Sequence, residues 1–261
     1  GTGTAVFTVV ADQTTINLSN FTFASSFASG TDSVVVNASS SSSGVTVTGT
    51  SGDDTITGSN ANDTLSGGAS ADTISGGTGN DTINGGSGAD TLTGGAGDDE
   101  FDFASGTSTE ASMDKITDYQ AAAADADNDT IDLVTGAKGA DSASIDVKSA
   151  IAGGGGGETV TATVTNGVVT LSGSDAGLIN TLSEWIDAVS VDGVIKKAAD
   201  DADAVGVVAF QLSGNTYLVE SNDTFDNNTA NVSIVSVIEL TGLTGVTAVA
   251  DAAAANTVLI A

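Results

Sequence analysis

Six aspartates recur at intervals of nine residues between Gly49 and Asp102: Asp54, Asp63, Asp72, Asp81, Asp90 and Asp99. Carboxylates at a fixed pitch, each following a glycine-rich run, are a supply of hard oxygen ligands. The chain contains neither His nor Cys. That removes zinc sites built on nitrogen or sulfur, Ser-His and Cys-His nucleophiles, and disulfide staples. Oxygen ligation of a hard cation is the metal chemistry left, and it points to Ca²⁺. The charge balance agrees. Among 261 residues, 34 are acidic, and the only basic side chains are Lys115, Lys138, Lys148, Lys196 and Lys197, for a net charge of −29. Such self-repulsion opposes a compact state. Yet 39% of the residues are hydrophobic, and the two facts fit if the acids gather around bound cations. A polyanion of this kind excludes nucleic acid as a partner and has no direct attraction to anionic lipid unless divalent ions bridge the two.

The elements that must position these aspartates follow from the register. Residues 49–102 read GTSGDDTIT, GSNANDTLS, GGASADTIS, GGTGNDTIN, GGSGADTLT and GGAGDDEFD. The sixth place is always Asp. The eighth is always large and apolar: Ile56, Leu65, Ile74, Ile83, Leu92, Phe101. A flexible Gly/Ser/Asp linker would not keep an apolar residue in phase six times. The pattern resembles the G-G-x-G-x-D-x-U-x repeat of calcium-binding parallel β-helices. Each unit reads as a glycine-rich half-turn followed by a very short strand, and two units make one coil of 18 residues. The apolar residue points inward. Glycines at the first, second and fourth places permit a tight positive-φ turn, whose carbonyls join the carboxylate as ligands. The candidate set is therefore the six aspartates with Gly67, Gly76, Gly79, Gly85, Gly88, Gly94 and Gly97. A single half-turn has too few oxygens for an ion that takes six to eight, so stacked half-turns must share ions. Asp54, Asp72 and Asp90 are expected on one edge, Asp63, Asp81 and Asp99 on the other, with roughly four shared sites. Repeats one to three carry Thr50, Ser59, Ala61 and Ser70 in place of glycine, and weaker sites are expected there. Without calcium, aspartates stacked ~4.8 Å apart repel, and the thin aliphatic column does not offset the ordering entropy.

On either side of this array the chain changes character. Residues 1–48 read as solenoid rungs, with strands at Ala5–Val10, Thr15–Leu18, Ser33–Asn37 and Val45–Thr48. The array itself is assigned to 49–104, and 105–157 to a segment that closes the roll. There Phe101, Phe103, Ile116, Tyr119, Ile131 and Leu133 are candidates to cover the end of the column. Asp102, Asp114, Asp118, Asp129 and Asp132 are candidate ligands of a terminal ion, with solvated turn positions the equal alternative. Ala121–Ala126 is low in complexity and Gly153–Gly157 reads as a loop. Residues 158–261 form a β-rich module: a hairpin from Thr159–Val164 and Val168–Ser172 about Asn166-Gly167, a second about Ser213-Gly214-Asn215, and strands at Val207–Leu212, Thr216–Glu220 and Ser233–Leu240. Apolar spacing predicts a short helix over 176–190, with Trp185 in its core face, and a second over 194–205. The fold class is thus all-β: a parallel β-roll or β-solenoid with Ca²⁺-binding turns, plus a β-rich C-terminal module with one or two short helices.

The nonapeptide array resembles that of RTX proteins exported by type I secretion. Three further features resemble the C-terminal part of surface-layer (S-layer) proteins of Gram-negative bacteria. They are the Thr/Ser/Ala/Val/Gly/Asp composition, the lack of Cys, His, Pro and Arg, and a tail running Phe210–Val219, Val237–Leu243 and Asn256–Ala261. The resemblance implies a C-terminal secretion signal, passage through a type I apparatus while unfolded, and folding in external Ca²⁺. It also implies self-assembly into a cell-surface lattice, with attachment to surface polysaccharide through a separate N-terminal region. The lack of an initiating Met is what a fragment of a longer chain would show. No stretch approaches the ~18 apolar residues of a membrane span, and the Asn20-Phe21-Thr22 sequon is expected to be bare. No catalytic motif is present, and neither HExxH nor G-x-S-x-G occurs. The reading is a non-enzymatic, secreted structural protein with several Ca²⁺ ions. The alternatives are an RTX adhesin or filament subunit, or the export and folding module of a larger secreted protein.

Overall fold

The computed structural model describes residues 4–8, 15–17, 33–103, 108, 111–120, 128–133, 138–139, 143–146, 161–165, 168–172, 206–221, 234–247, 249–251 and 257–260. Every regular element among them is a strand. The helices expected over 176–190 and 194–205, with Trp185, lie outside the described residues, as do Asn20, Ala121–Ala126, Asn166-Gly167 and Gly153–Gly157. The chain divides into two compact units, Gly1–Asp132 and Leu133–Ala261.

The first unit is a parallel roll. Odd strands β1 (Thr4–Thr8), β3 (Ser33–Asn37), β5 (Thr55–Thr57), β7 (Thr73–Thr78), β9 (Thr91–Ala96) and β11 (Asp114–Ile116) lie side by side in one sheet. Even strands β2 (Thr15–Asn17), β4 (Thr46–Thr48), β6 (Thr64–Ala69), β8 (Thr82–Ser87), β10 (Glu100–Phe103) and β12 (Thr130–Leu133) form the other. Alternation of strands between two sheets is what a nine-residue unit dictates when two units make a coil. Register follows the apolar residue: Ile56 pairs Ile74 and Ile74 pairs Leu92 on one sheet, Val47 pairs Leu65 and Leu65 pairs Ile83 on the other. Ile56, Leu65, Ile74, Ile83, Leu92 and Phe101 are all buried at 1% exposure or less. The flanking threonines alternate outward, as a period of two requires.

Ile116 and Ile131 do more than cover an end. Ile116 pairs Leu92 in full register, so it is a further rung of the column, and Thr130 N–H donates to the Asp99 carbonyl (2.8 Å) to set β12 beside β10. Tyr119 packs on Phe101 with ring centroids 6.5 Å apart, and its hydroxyl donates to the Asp129 carbonyl (2.8 Å). This buried phenol thus finds an acceptor for its polar end. Of the four strands expected in residues 1–48, Ser33–Asn37 is found as read. The others begin or end one or two residues away, at Thr4–Thr8, Thr15–Asn17 and Thr46–Thr48.

The second unit opens on the short β13 (Lys138–Gly139) and is mostly antiparallel. β14 (Ala143–Asp146), β15 (Thr161–Thr165) and β16 (Val168–Ser172) run as a meander, with Thr165 opposite Val168 across a two-residue connection. Strands β17 (Gly206–Leu212), β18 (Asn215–Ser221) and β19 (Ile234–Leu240) form a second meander. Leu212 pairs Asn215 across Ser213 (φ 54°) and Gly214 (φ 87°), the positive-φ pair that a type I′ hairpin turn needs. The consecutive burial of Val207–Phe210, Thr216–Glu220 and Ser236–Leu240 shows these strands covered on both faces.

Replacing Ile83 by Ala in the middle of the roll should cost about 2–5 kcal/mol. Replacing the exposed Thr73 by Ala should cost no more than about 0.5 kcal/mol. Chemical denaturation at saturating Ca²⁺ compares the two.

Candidate metal centre

The repeat aspartates are buried at 1–4% exposure, although each sits at a turn. Their environment has a simple rule. The backbone N–H of one aspartate donates to Oδ1 of the aspartate one coil further on. On the odd edge the bonds run from Asp54 to Asp72 (2.7 Å), Asp72 to Asp90 (2.8 Å) and Asp90 to Asp114 (2.8 Å). On the even edge they run from Asp63 to Asp81 (2.8 Å), Asp81 to Asp99 (2.9 Å) and Asp99 to Asp129 (3.1 Å). The expected separation of the six aspartates onto two edges is thus what the hydrogen bonds draw. Asp114 and Asp129, candidate ligands of a terminal ion with solvated turn positions the equal alternative, continue the ladders. Their offsets of 24 and 30 residues replace the earlier 18, six and twelve residues more.

One oxygen of each carboxylate is therefore accounted for. In four of them the other is not. Oδ2 of Asp72, Asp81, Asp90 and Asp114 is buried and has no hydrogen-bond donor. A buried anionic oxygen without a partner is costly. Burial accordingly pushes the Asp72 carboxyl from 3.8 up to about 8; the bond from Asp54 N–H offsets part of this, and the charges of Asp90, Asp54 and Asp53 add to it. Burial likewise takes Asp81 up to about 7, with Asp63 and Asp99 adding repulsion, and Asp114 up to about 7; Asp90 is raised too.

The glycines show what lies against those oxygens. A Cβ on Gly67 would strike both Asp72 Oδ2 and the Gly85 carbonyl oxygen one coil on. A Cβ on Gly76 would strike Asp81 Oδ2 and the Gly94 carbonyl in the same way. Beside Gly49 the pair is Asp54 Oδ2 with the Gly67 carbonyl, and beside Gly58 it is Asp63 Oδ2 with the Gly76 carbonyl. Carboxylate and carbonyl oxygens from successive coils thus converge where only a hydrogen-bearing Cα leaves room. No group of three acidic side chains among the described residues could hold a metal by itself, so carbonyls must complete any shell. Gly79, Gly88 and Gly97 adopt φ of 113°, 147° and 127° and stack directly on the backbone of the preceding coil.

These oxygens fit a hard cation. Residues 48–83 and 75–109 match the RTX calcium-binding nonapeptide repeat (4 copies). They are RTX calcium-binding repeats. The chain takes several Ca²⁺ ions through them. No curated protein matches the chain. Among the described residues, no helix is long and apolar enough to cross a membrane.

The remaining sequence candidates are placed differently. Asp118 accepts from the N–H groups of Gly94 and Gly95 (2.9 Å each), so it caps the last RTX turn on that side. Asp129 Oδ2 accepts from Gln120 N–H (2.7 Å). Asp102 and Asp132 alternate with buried Phe101, Phe103, Ile131 and Leu133, and so lie on outer strand faces. Sequence reasoning missed a second, outer ladder at the fifth place of the even edge: Asn62 Oδ1 accepts from Asn80 N–H (3.0 Å), Asn80 from Asp98 (3.2 Å) and Asp98 from Asn128 (2.8 Å). Asn/Asp in alternate repeats was its signal. Also missed was Glu220 in the second unit, buried opposite Ser236, with Oε2 lacking a donor and its carboxyl raised by burial.

A pH dependence follows. In the calcium-free roll the raised carboxyls bind protons more tightly than in the unfolded chain. Their contribution to stability is therefore full below about pH 4 and lost as pH rises through 7–8. In chelator, lowering the pH from 8 to 5 should increase β structure by far-UV circular dichroism, and the Asp72→Asn/Asp81→Asn variant should respond less. In saturating Ca²⁺ the same acidification should act in the opposite direction, because protons then compete with the ion.

Proposed function

We propose that this chain is the C-terminal part of a secreted S-layer protein that folds and self-assembles into a cell-surface lattice on meeting extracellular Ca²⁺. The observation that carries this reading is the pair of buried carboxylate ladders in which Oδ2 of Asp72, Asp81, Asp90 and Asp114 lacks a donor. They make the roll an element whose order is set by external calcium and has no evident catalytic use. The ligands in this reading are Asp72, Asp81, Asp90, Asp99 and Asp114 with the carbonyls of Gly67, Gly76, Gly85 and Gly94. The two parallel sheets of the roll carry Thr and Ser on their outer faces and offer repetitive surfaces for packing against copies of the same chain. The high negative charge adds a reason for divalent ions between neighbours. Export through a type I apparatus fits a module that stays unfolded where calcium is scarce. The role is structural, not enzymatic.

The test is calcium addition to chelator-treated protein, followed by light scattering and negative-stain electron microscopy. Millimolar Ca²⁺ should produce ordered sheets that dissolve on chelation. Single particles at high protein concentration would overturn the lattice reading and favour an adhesin subunit or an export and folding module.

A further inference from the structure

The first RTX coil does not treat its aspartates as the later ones do. Thr50 N–H donates to Asp54 Oδ2 (2.6 Å), and the Thr50 hydroxyl lies 2.9 Å from the same oxygen. Val34 N–H supplies Oδ1 (2.8 Å). At Asp63 the pattern repeats: Ser59 N–H donates to Oδ2 (2.6 Å), the Ser59 hydroxyl donates to Oδ1 (2.7 Å), and Val45 N–H donates to Oδ1 (2.7 Å). Both oxygens of both carboxylates are satisfied by the protein.

Backbone conformation explains the contrast. From the third repeat on, the second place is Gly68, Gly77, Gly86 or Gly95, with φ of 118°, 117°, 101° and 110°. Thr50 and Ser59 hold the same place without positive φ. The non-glycine turn directs its N–H at the carboxylate, whereas Oδ2 of Asp72, Asp81 and Asp90 is left without a donor in the glycine turns. The alternative turn is locked by its own hydroxyl: Gly52 N–H donates to Thr50 Oγ1 (3.1 Å), and Ala61 N–H to Ser59 Oγ (3.1 Å). Short side-chain-to-backbone bonds of this kind stabilise one turn over another.

We propose that Thr50 and Ser59 stand in for the cation, so that the first RTX coil is closed without calcium and Ca²⁺ loading begins at Asp72 and Asp81. This deepens the calcium reading above and rests on it. The consequence is a division of labour along one repeat array. Asp54 and Asp63 hold a preformed coil against β3 and β4, and that coil offers its edges as a template on which the calcium-dependent coils stack. Residue identity at the second place, glycine or hydroxyl, decides which kind a repeat is.

Native mass spectrometry of the full chain in Ca²⁺ counts the ions, and circular dichroism gives the calcium midpoint. Asp54→Asn and Asp63→Asn should bind as many ions as the parent, with midpoints within about twofold. Asp72→Asn should lose an ion and raise the midpoint on the order of tenfold. Thr50→Gly/Ser59→Gly should bind additional calcium, while Thr50→Ser/Ser59→Thr, which keeps the hydroxyls, should not. An ion lost from Asp54→Asn or Asp63→Asn, or a glycine variant that folds but gains none, overturns the proposal. Should the glycine variant fail to fold, the counts for the two Asn variants decide. A parent that binds no calcium fails the underlying calcium reading, a result distinct from equal losses at Asp54 and Asp72.

Discussion

Everything in the first unit depends on stacking like charges. Two sheets of single short strands can form a roll only if successive coils superimpose, and superposition puts an aspartate over an aspartate at every turn. The N–H to Oδ1 bond between coils makes the stacking specific, since it fixes the distance from one aspartate to the next. It also consumes only one oxygen, and the strand pairing already uses the aspartate carbonyls, as in Thr91 N–H to the Asp72 carbonyl (2.8 Å). In Asp72, Asp81, Asp90 and Asp114 the second oxygen is forced inside the turn without a donor. One aliphatic side chain per nine residues is a small hydrophobic return for ordering that much backbone. The deficit and the orphaned oxygen have the same remedy, a divalent cation held between coils.

Glycine is needed here for two separate reasons, and the structure distinguishes them. At the first place of every repeat the Cα lies against a carboxylate oxygen, and in the first four also against the next coil's carbonyl, so any side chain would strike them. At the second and fourth places the need is conformational, a positive φ that non-glycine residues adopt at a cost. Ser70 adopts it nonetheless, at φ 73°, with its hydroxyl donating to the Ser51 carbonyl (3.0 Å). Its repeat keeps the glycine-type turn and the orphaned Asp72 oxygen despite the substitution.

The nine-residue phase made the roll legible, because two positions with opposite demands, a charge and an aliphatic, could not stay in step by chance. The hairpin about Ser213-Gly214 was legible for a similar reason, a local turn chemistry that fixes register. Legibility ended where the phase did. Asp114-Lys115-Ile116 and Asp129-Thr130-Ile131 repeat the Asp-x-apolar core of the unit, but inserted residues break the interval, so their membership in the ladders shows only in space. The self-satisfied state of Asp54 and Asp63 was hidden for another reason. Thr50 and Ser59 read as lost glycines, and only the hydrogen bonds show that they contribute donors. Glu220 carried no pattern at all; nothing in β18 predicts that a lone acid would be buried.

The central claim is that the coils from the third repeat onward are ordered by calcium neutralising buried carboxylates. Amide hydrogen exchange across Gly67–Phe103, measured with and without Ca²⁺ at neutral pH, addresses it residue by residue. The account predicts strong protection in Ca²⁺ that collapses throughout this span in chelator. Protection of equal strength and extent in both conditions would contradict it, because the stacked aspartates would then be held together without the ion.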